Sequence, residues 1–455
     1  MQNAAIAAIS TAQAPGGIGV IRLSGEGAPQ IADRVFVSRM GTLEQAPGYT
    51  ALYGKIVDEN GEKLDEAVAL RFCAPHSFTG EDVVEFSCHG GLVILQRVLA
   101  AVLAAGARPA GPGEFTRRAF CNGKMDLTEA EAVMQMISAR GTQAARAALS
   151  GHDGALSRRI GGIRQRLLEV ASHLAAWADY PDDDIPQVTD DFLKENLCAV
   201  QQELQQLLLT FDAGRVLREG VDTVIVGRPN AGKSTLMNRL TGTQRSIVTE
   251  IAGTTRDVVE ETVQLGQVLL RLSDTAGIRD TDDPVEKIGV QRAREKFSQA
   301  ELILMVFDAS QELNDEDRKL MAMSEGKPHV AVVNKTDLCE KIDKKYIESK
   351  NQHIVYISAQ SGEGMQQLEQ EILRVLHAAE LNPGEGILYT ERQRQDASHC
   401  LSAVEEAQGA LQSGMTLDAV TVSVEAAVDA LLELTGERAT TAVVDEVFAH
   451  FCVGK

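Results

Sequence analysis

The stretch VDTVIVGRPNAGKST, residues 221–235, joins an apolar, β-branched run directly to a glycine-rich loop of the form G-x-x-x-x-G-K-S. Backbone N–H groups of such a loop surround the α- and β-phosphates of a nucleotide. Lys233 would reach the β- and γ-phosphates, and the Ser234 hydroxyl would bind Mg²⁺. A chance match would give only a glycine-rich turn, but the strand that the motif requires precedes it here. The sequence therefore predicts a phosphate-binding loop.

Two later strand-like runs end in polar motifs, Asp274-Thr275-Ala276-Gly277 and Asn334-Lys335-Thr336-Asp337. In the first motif, the Asp can hold Mg²⁺ through water and the Gly N–H can face the γ-phosphate. In the second, the final carboxylate can accept two hydrogen bonds from N1–H and the exocyclic amine of guanine, a donor pair that adenine lacks. Ser358-Ala359 is expected to form the last loop beside the base. These motifs in this order predict a GTPase.

The group that orients the attacking water is not fixed by these motifs. The residue after the D-T-A-G motif is Ile278, which cannot do what the Gln of Ras-type GTPases does there. The next loop offers other polar side chains, namely Asp280, Asp282, Asp283 and Glu286.

Two further positions near the phosphates remain open from the residues alone. The amide oxygen of Asn230 could help hold a monovalent cation beside the β- and γ-phosphates, or Asn230 could only shape the turn. Thr254 and Thr255 lie where a switch loop supplies a Thr to Mg²⁺, and both are candidates.

Composition favours a multidomain cytoplasmic protein. With 455 residues the chain is too long for one core, and about three domains are expected. The formal charge of −21 argues against a primary nucleic-acid surface, so a basic partner would supply much of the attraction for any RNA. Seven scattered cysteines are typical of reduced thiols. No leader peptide and no run of roughly 18 apolar residues is visible, so no membrane association is expected.

Periodicity divides the chain into three predicted domains. Residues 1–120 alternate strand-like runs, at 19–23, 67–72 and 83–86, with turns and one helical run at 92–105, which predicts a mixed α/β domain. Residues 121–218 and 378–455 form a discontinuous α-helical bundle, and 219–377 an inserted Ras-like α/β P-loop GTPase domain. Thr128 and Glu131 are predicted to form a capping box.

Three apolar seams support the helical bundle, either as its core or partly as a dimer face. They consist of Leu156, Ile160, Ile163, Leu167, Val170, Leu174 and Trp177; of Leu193, Leu197, Val200, Leu204, Leu207 and Phe211; and of Val420, Val424, Ala427, Leu431 and Leu434.

From residue 12 to residue 455 the sequence resembles the MnmE (TrmE) family of tRNA modification GTPases. The most specific matches are residues 227–234, 251–257 and the terminal 451–455, together with 77–85 and 112–120 in the amino-terminal part. Other GTPases share the nucleotide motifs but neither this amino-terminal region nor this carboxyl terminus.

The resemblance implies roles for the residues left open above. In this family the residue matching Asn230 binds K⁺ together with those matching Thr249, Ile251 and Thr254, while Thr255 falls on the Mg²⁺ position beside Ser234 and Glu286 on the water-orienting position. The predicted GTP-binding set is Asn230, Ala231, Gly232, Lys233, Ser234, Thr235, Thr249, Glu250, Ile251, Ala252, Gly253, Thr254, Thr255, Asp274, Thr275, Ala276, Gly277, Asn334, Lys335, Asp337, Ser358 and Ala359.

The resemblance further implies a homodimer formed through amino-terminal domains that resemble folate-dependent one-carbon enzymes. Such a domain would bind 5-formyl- or 5,10-methylene-tetrahydrofolate through Arg22, Glu85, Lys124 and Lys455, since Arg and Lys can hold glutamyl carboxylates and a carboxylate can accept from pterin amines. The Cys452 thiolate is a candidate participant in the modification chemistry. By position alone the terminal residues could equally be a frayed tail.

The function implied is a K⁺-activated GTPase that acts with the FAD-containing MnmG in a heterotetramer or larger complex. Together such proteins add an aminomethyl or carboxymethylaminomethyl group to C5 of the wobble uridine of certain tRNAs, which would be bound mainly through MnmG. The alternatives are a GTPase switch in ribosome assembly, like Era and EngA, and a folate-binding sensor. Neither a G-x-x-G clamp in a basic setting nor a second P-loop is visible in the sequence.

Overall fold

The computed structural model describes residues 4–139, 141–179, 190–243, 261–265, 268–274, 296–376 and 383–455. The chain forms two compact units. The first comprises Met1–Met134, Ile160–Ile185 and Met415–Lys455, and the second comprises Gln135–Arg159 and Pro186–Gly414. The division into three domains stays a prediction.

A mostly antiparallel sheet organises the first unit. Its strands are β1 (Ile6–Ile9), β2 (Ile18–Ser24), β3 (Phe36–Ser38), β4 (Thr50–Val57), β5 (Lys63–Phe72), β6 (Val83–His89) and β7 (Arg108–Pro109). Their order is β3-β4-β5-β6-β2-β1-β7, with β1 and β7 parallel and the other neighbours antiparallel. The three predicted strand-like runs lie within β2, β5 and β6, which confirms them.

The two faces of this sheet pack differently. Helices α1 (Ala28–Val35) and α2 (Leu92–Ala104) bury apolar side chains of one face, and α2 confirms the predicted helical run. Because side chains alternate along β1, Ala7 points to that core whereas Ile6 joins Phe115 of α3 (Glu114–Cys121) on the opposite face.

The capping box of the next helix lies two residues earlier than predicted. Helix α4 spans Leu127–Ser138. The Asp126 carboxylate accepts a hydrogen bond from the Glu129 N–H at 2.9 Å, and the Glu129 carboxylate accepts one from the Asp126 N–H at 2.9 Å. The Thr128 hydroxyl donates to Asp126 at 2.8 Å instead. The predicted Thr128–Glu131 box is therefore wrong, since Asp126 and Glu129 have the same spacing and Asp is an equally good N-cap.

Helices α5 (Thr142–His152), α6 (Ala155–Asp179) and α7 (Asp190–Glu219) follow. The seam residues of α6 and α7 are buried, except that the side chain of Trp177 lies outside the described residues. The described residues of these seams are therefore on the buried faces of their helices, as the periodicity predicts.

The second sheet belongs to the GTPase region. Its strands are β8 (Val221–Gly227), β9 (Glu261–Leu265), β10 (Val268–Asp274), β11 (Leu302–Asp308), β12 (His329–Asn334) and β13 (Ile354–Tyr356), in the order β13-β12-β11-β8-β10-β9. The β9–β10 pair is antiparallel and the other pairs are parallel.

This sheet is buried on both faces. Alternate residues of β11 enter two separate apolar clusters, which explains its uninterrupted apolar run LILMVF. The flanking helices include α8 (Lys233–Thr243), α9 (Asp315–Ser324), α10 (Lys344–Lys350) and α11 (Met365–Val375). The predicted fold class is confirmed, and ligands of such α/β sheets bind outside the carboxyl ends of the parallel strands.

Three carboxyl-terminal helices complete the chain: α12 (Glu391–Gln412), α13 (Leu417–Thr435) and α14 (Thr441–Ala449). Helix α12 packs along α7 within the second unit. The third predicted seam is buried on α13 of the first unit. Among the described helices, none is both long enough and apolar enough to span a membrane.

Candidate functional site

The predicted phosphate-binding loop connects β8 to α8. Gly227 has a φ of 152°, and a β-carbon there would lie 2.3 Å from the carbonyl oxygen of Val306 on β11. Gly232 has a φ of 98°, and its β-carbon would lie 2.1 Å from Nδ2 of Asn334. Glycine is therefore required at both positions, because the neighbouring strands approach the loop too closely for a side chain.

The Lys233 side chain is hydrogen-bonded to the backbone of this loop. Its ammonium group donates to the carbonyl oxygens of Gly227 at 2.8 Å and Arg228 at 2.9 Å. An ammonium group has three donors, and the group can turn from the carbonyls towards a nucleotide phosphate. The side chain is thus held at the place where the motif needs it.

The N-K-T-D motif at the end of β12, which is predicted to recognise guanine, is hydrogen-bonded to the same loop. Asn334 is buried; its Nδ2 donates to the Ala231 carbonyl at 2.9 Å, and its Oδ1 accepts from the Ala359 N–H at 2.9 Å. The Lys335 ammonium donates to the Asn230 carbonyl at 2.6 Å. Asp337, which is predicted to accept hydrogen bonds from the base, is exposed. The phosphate-binding loop, the N-K-T-D motif and the Ser358-Ala359 loop are therefore brought together at one edge of the sheet.

A buried carboxylate adjoins this motif. Asp308, the last residue of β11, accepts from Lys335 Nζ at 2.6 Å and from the Ser310 hydroxyl at 2.6 Å. Burial works to raise the pKa of Asp308, but the hydrogen bonds from Lys335 and Ser310 outweigh it and lower the pKa below its usual value. Asp308 is consequently ionised at neutral pH and forms an ion pair with Lys335.

A second ion pair attaches the phosphate-binding loop to α9. Arg228 Nε lies 3.0 Å from Oδ2 of Asp317, which is buried. Asp317 also forms the capping box of α9 with Asn314, whose side chain accepts from the Asp317 N–H. Burial raises the pKa of Asp317, while the Asn314 N–H and the Arg228 charge act in the opposite direction.

Two residues predicted to hold Mg²⁺ belong to elements that end or begin at the same edge of the sheet. Ser234 is exposed at the start of α8, and Asp274 is the last residue of β10. The backbone of Asp274 pairs in register with Ile225, just before the phosphate-binding loop on the adjacent strand β8. Hydroxyl and carboxylate oxygens suit Mg²⁺, which polarises phosphate oxygens when bound. Asn230 has a φ of 63° and is also exposed beside this edge.

Several predicted site residues lie outside the described residues: Thr249, Glu250, Ile251, Ala252, Gly253, Thr254, Thr255, Thr275, Ala276, Gly277 and Glu286. The side chain of Asp274 is likewise outside them. Asn230, Ala231, Gly232, Lys233, Ser234, Thr235, Asn334, Lys335, Asp337, Ser358 and Ala359 are described.

A second candidate site lies on the amino-terminal sheet. Arg22 on β2 and Glu85 on β6 are direct partners in register, and Arg22 Nε donates to Glu85 Oε1 at 2.7 Å. The Arg22 guanidinium carbon lies 5.4 Å from the ring centre of Phe78 and 5.6 Å from that of Phe115. Lys124 Nζ donates to the Pro75 carbonyl at 3.1 Å, at the start of the loop that carries Phe78. The site therefore combines charged groups with aromatic rings.

The carboxyl-terminal residues dock beside this site. The Gly113 N–H donates to the Cys452 carbonyl at 3.3 Å, and the Phe115 N–H donates to a carbonyl oxygen of Lys455 at 3.2 Å. Cys452 itself is an exposed free thiol. The alternative of a frayed tail is therefore wrong, because the backbone of this segment is paired with the loop and helix that carry Phe115.

Sequence reasoning missed four side chains in these sites: Phe78, Phe115, Asp308 and Asp317. The two phenylalanines lie within stretches that carried the family resemblance, yet nothing in their spacing connects them to Arg22. Asp308 had a usable signal, because it is the charged residue that ends an otherwise apolar strand. Asp317 follows Asn314 at the spacing of a capping box.

A strand, a phosphate-binding loop and an N-K-T-D motif whose buried Asn334 is hydrogen-bonded to that loop are the features of a P-loop GTPase. Two family models match the chain. The model described as "MnmE helical domain" matches residues 127–452, and the model described as "GTP-binding protein TrmE N-terminus" matches residues 5–124. The chain is 44% identical over 459 residues to the tRNA modification GTPase MnmE of Symbiobacterium thermophilum, covering 100% of both chains. It is 40% identical over 454 residues to that of Acetivibrio thermocellus, covering 99% of both.

Among solved structures, Era of Aquifex aeolicus bound to GDP and AlF4⁻ is 28% identical over 40% of this chain and 66% of Era, with a TM-score of 0.29. The G domain of the T. maritima FeoB iron transporter is 23% identical over 34% of this chain and 98% of that domain, with a TM-score of 0.27. The chain belongs to the MnmE family of tRNA modification GTPases.

Proposed function

We propose that this GTPase is activated by K⁺, uses a tetrahydrofolate one-carbon unit and acts with an FAD-containing MnmG partner on tRNA. The modification is the addition of an aminomethyl or carboxymethylaminomethyl group to C5 of the wobble uridine. The protein acts as a homodimer in the cytoplasm, within a heterotetramer or larger complex, and MnmG makes most of the contacts with tRNA. GTP hydrolysis drives a conformational step, and the bond-making chemistry occurs elsewhere.

One observation carries this proposal: the similarity includes the amino-terminal region and the carboxyl terminus as well as the GTPase motifs. A GTPase switch of another pathway would need only the nucleotide site. Here a second site, with paired charges and two aromatic rings, has the terminal segment with Cys452 and Lys455 docked beside it.

The amino-terminal site has the chemistry expected for a folate. Arg22 and Lys124 can hold glutamyl carboxylates, and Glu85 can accept from the pterin amines. The rings of Phe78 and Phe115 offer apolar faces on which a flat heterocycle can stack. Bound tetrahydrofolate would supply the one-carbon unit, and the residues of this chain would bind and orient it. The exposed Cys452 thiol is proposed to take part in that chemistry.

The proposed cation site rests on Asn230 and on three residues outside the described ones, Thr249, Ile251 and Thr254. Because this GTPase has Ile278 where a Gln would orient water, it needs another source of transition-state stabilisation. A monovalent cation beside the β- and γ-phosphates would provide it, with Glu286 orienting the water and Ser234 and Thr255 holding Mg²⁺.

The deciding experiment is nucleoside mass spectrometry of tRNA from a strain that lacks this gene. We expect the 5-substituted wobble uridines to disappear, and to return when the wild-type gene is restored. A Cys452→Ser gene should not restore them, whereas a Cys121→Ser gene, which alters another exposed cysteine of the same unit, should. Unchanged wobble nucleosides in the deletion strain would overturn the proposal, and ribosomal particles would then be the next client to test.

The cation is tested separately. GTP turnover should be at least about ten-fold faster in KCl than in NaCl at equal ionic strength. Asn230→Ala should remove that difference, while Asn238→Ala, which alters an exposed Asn on α8, should keep it. Equal turnover of the wild type in the two salts would exclude K⁺ from the mechanism.

A further inference from the structure

Asp308 has two sets of partners that suggest two different roles. Its Oδ2 accepts from the Lys335 ammonium at 2.6 Å. Its Oδ1 accepts from the Ser310 hydroxyl at 2.6 Å and from the Ser310 N–H at 2.9 Å. The carboxylate is 2% exposed, so both of its oxygens have their hydrogen bonds inside the protein.

The Lys335 side chain needs such an anchor. Lysine has a long flexible stem, and holding it in one conformation costs up to about 2 kcal/mol of side-chain entropy. Lys335 is only partly buried, so without a partner its ammonium group would gain hydration by turning to water. The ion pair with Asp308 holds it instead over the Asn230 carbonyl, where it donates at 2.6 Å.

The bond between Lys335 and Asn230 joins two strained backbone positions. Both residues have positive φ angles, 66° for Lys335 and 63° for Asn230. Non-glycine residues adopt this conformation only when the surrounding structure holds them there. A lysine fixed between a buried carboxylate and the loop carbonyl is one such restraint. It connects the motif that reads the base to the loop that binds the phosphates.

We propose that Asp308 is a positioning residue for GTP recognition, which acts by holding Lys335 across the Asn230 carbonyl before the nucleotide arrives. Asp308 is connected to the loop through Lys335, which bonds to both. Its contribution is preorganisation: the entropy of ordering Lys335 is already spent in the folded protein, so less of the binding free energy is lost when GTP binds. The proposal needs only the GTPase activity that the family establishes, and is independent of folate, K⁺ and tRNA chemistry.

The competing role for Asp308 is to shape the turn after β11. The Ser310 hydrogen bonds and the bond from the Ala309 N–H to the Asn334 carbonyl at 2.9 Å would then be its purpose. The two roles make different predictions for variants that remove one set of partners at a time.

The test is a double-mutant cycle on GTP affinity and steady-state hydrolysis with the full-length protein. Asp308→Asn keeps the shape of the side chain and removes its charge. We expect it to raise the KM and the Kd for GTP about ten-fold, with kcat at saturating GTP unchanged within about two-fold. Lys335→Met should weaken binding at least as much. In the Lys335→Met background, adding Asp308→Asn should cost no further affinity, because its route to the nucleotide is already lost.

Ser310→Ala is the matched control, since it removes a partner of Oδ1 and leaves the bond of Oδ2 to Lys335 intact. Its GTP affinity should stay within about two-fold of the wild type. The proposal is overturned if Ser310→Ala reproduces the defect of Asp308→Asn, if the Asp308 and Lys335 effects add fully, or if Asp308→Asn binds GTP normally.

Protein stability provides a second measurement should Asp308→Asn alone fold too poorly to assay. Lys335→Met leaves a buried carboxylate without its counter-ion, which is strongly destabilising. Adding Asp308→Asn removes that unpaired charge, so the double variant should melt at a higher temperature than Lys335→Met. A double variant that melts at a lower temperature would show that Asp308 serves the turn, and would overturn the proposal.

Discussion

The two candidate sites of this protein are built from different parts of the chain. In the GTPase region the contacts are made largely to backbone carbonyls: Lys233, Asn334 and Lys335 donate to oxygens of the phosphate-binding loop at 2.6–2.9 Å. In the amino-terminal region they are made between side chains, with Arg22 paired to Glu85 and close to two aromatic rings. The first site is a loop held by its neighbours, and the second is a surface formed by strand register.

This difference decides what each site tolerates. The phosphate-binding loop depends on a few side-chain donors, and loss of one that faces the phosphates leaves their negative charge unbalanced. Single substitutions there should therefore have large effects. A side-chain surface shares its contacts among several groups, so single substitutions should cost less. Each substitution is paired with a control substitution of the same chemical kind, so that loss of a site can be told from general destabilisation.

Lys233→Met should have the largest effect. The variant keeps an apolar stem but removes the ammonium group that reaches the phosphates, so kcat/KM for GTP should fall about 10²–10³-fold. The measurement is steady-state release of phosphate from GTP.

Lys327→Met is the control for that change. Lys327 also donates to two backbone carbonyls, those of Phe297 at 2.8 Å and Ser298 at 2.7 Å, at a different place in the same unit. Its variant should hydrolyse GTP within about two-fold of the wild type. Equal losses in both variants would mean that lysine–carbonyl bonds stabilise the fold in general, and the contrast between the two sites would lose its basis.

Asp337→Ala should come next and should affect the choice of base. If this carboxylate accepts two hydrogen bonds from guanine, as the motif predicts, its loss should weaken GTP binding about 10²-fold. Inosine triphosphate lacks the exocyclic amine, so the wild type should prefer GTP to it, and the variant should bind the two equally.

Binding of fluorescent GTP and inosine triphosphate analogues measures this preference. Asp315→Ala, which removes another exposed carboxylate near the start of α9, should retain it. If Asp337→Ala still preferred GTP, the base would be recognised by other groups, and the assignment of the N-K-T-D motif would be wrong.

The two sites were also unequally predictable from the sequence. The phosphate-binding loop, its strand and its helix occupy consecutive residues, so local pattern was enough, and β12 was likewise predicted from its apolar run. Arg22, Glu85, Phe78 and Phe115 are distant in sequence, and only the pairing of β2 with β6 places the first two opposite each other. Single-sequence patterns do not encode that register. The prediction of the α4 capping box failed for a smaller reason. Two overlapping pairs, Asp126 with Glu129 and Thr128 with Glu131, have the right spacing, and the structure uses the first pair.

Arg22→Met should have a moderate effect on the amino-terminal site alone. The methionine stem can still lie beside Phe78 and Phe115, but the charge that pairs with Glu85 is lost. We expect affinity for 5-formyl-tetrahydrofolate, measured by calorimetry, to fall about ten-fold, while GTP hydrolysis stays unchanged.

Arg34→Met controls for loss of an arginine from the same unit, at a position on α1. Arg34 is exposed and donates to the Ala105 carbonyl, so its variant should bind folate normally. Wild-type affinity in the Arg22 variant would remove this arginine from the proposed folate site. A parallel loss of GTP hydrolysis would show that the two sites are coupled.

The smallest predicted effect concerns the docked terminal segment. Gly113 has a φ of 61°, and a β-carbon there would lie 2.8 Å from Cβ of Phe451, whereas Gly123 has a φ of 67° and open space around its β-carbon. Alanine at either position costs about 1–2 kcal/mol of backbone strain, but only Gly113→Ala also pushes the terminal segment away. We therefore expect Gly113→Ala to weaken folate binding about three-fold more than Gly123→Ala, with GTP hydrolysis equal in both. Equal folate affinities would mean that the position of the terminal segment does not matter to the site, so that the side-chain surface of Arg22, Glu85, Phe78 and Phe115 is complete without it.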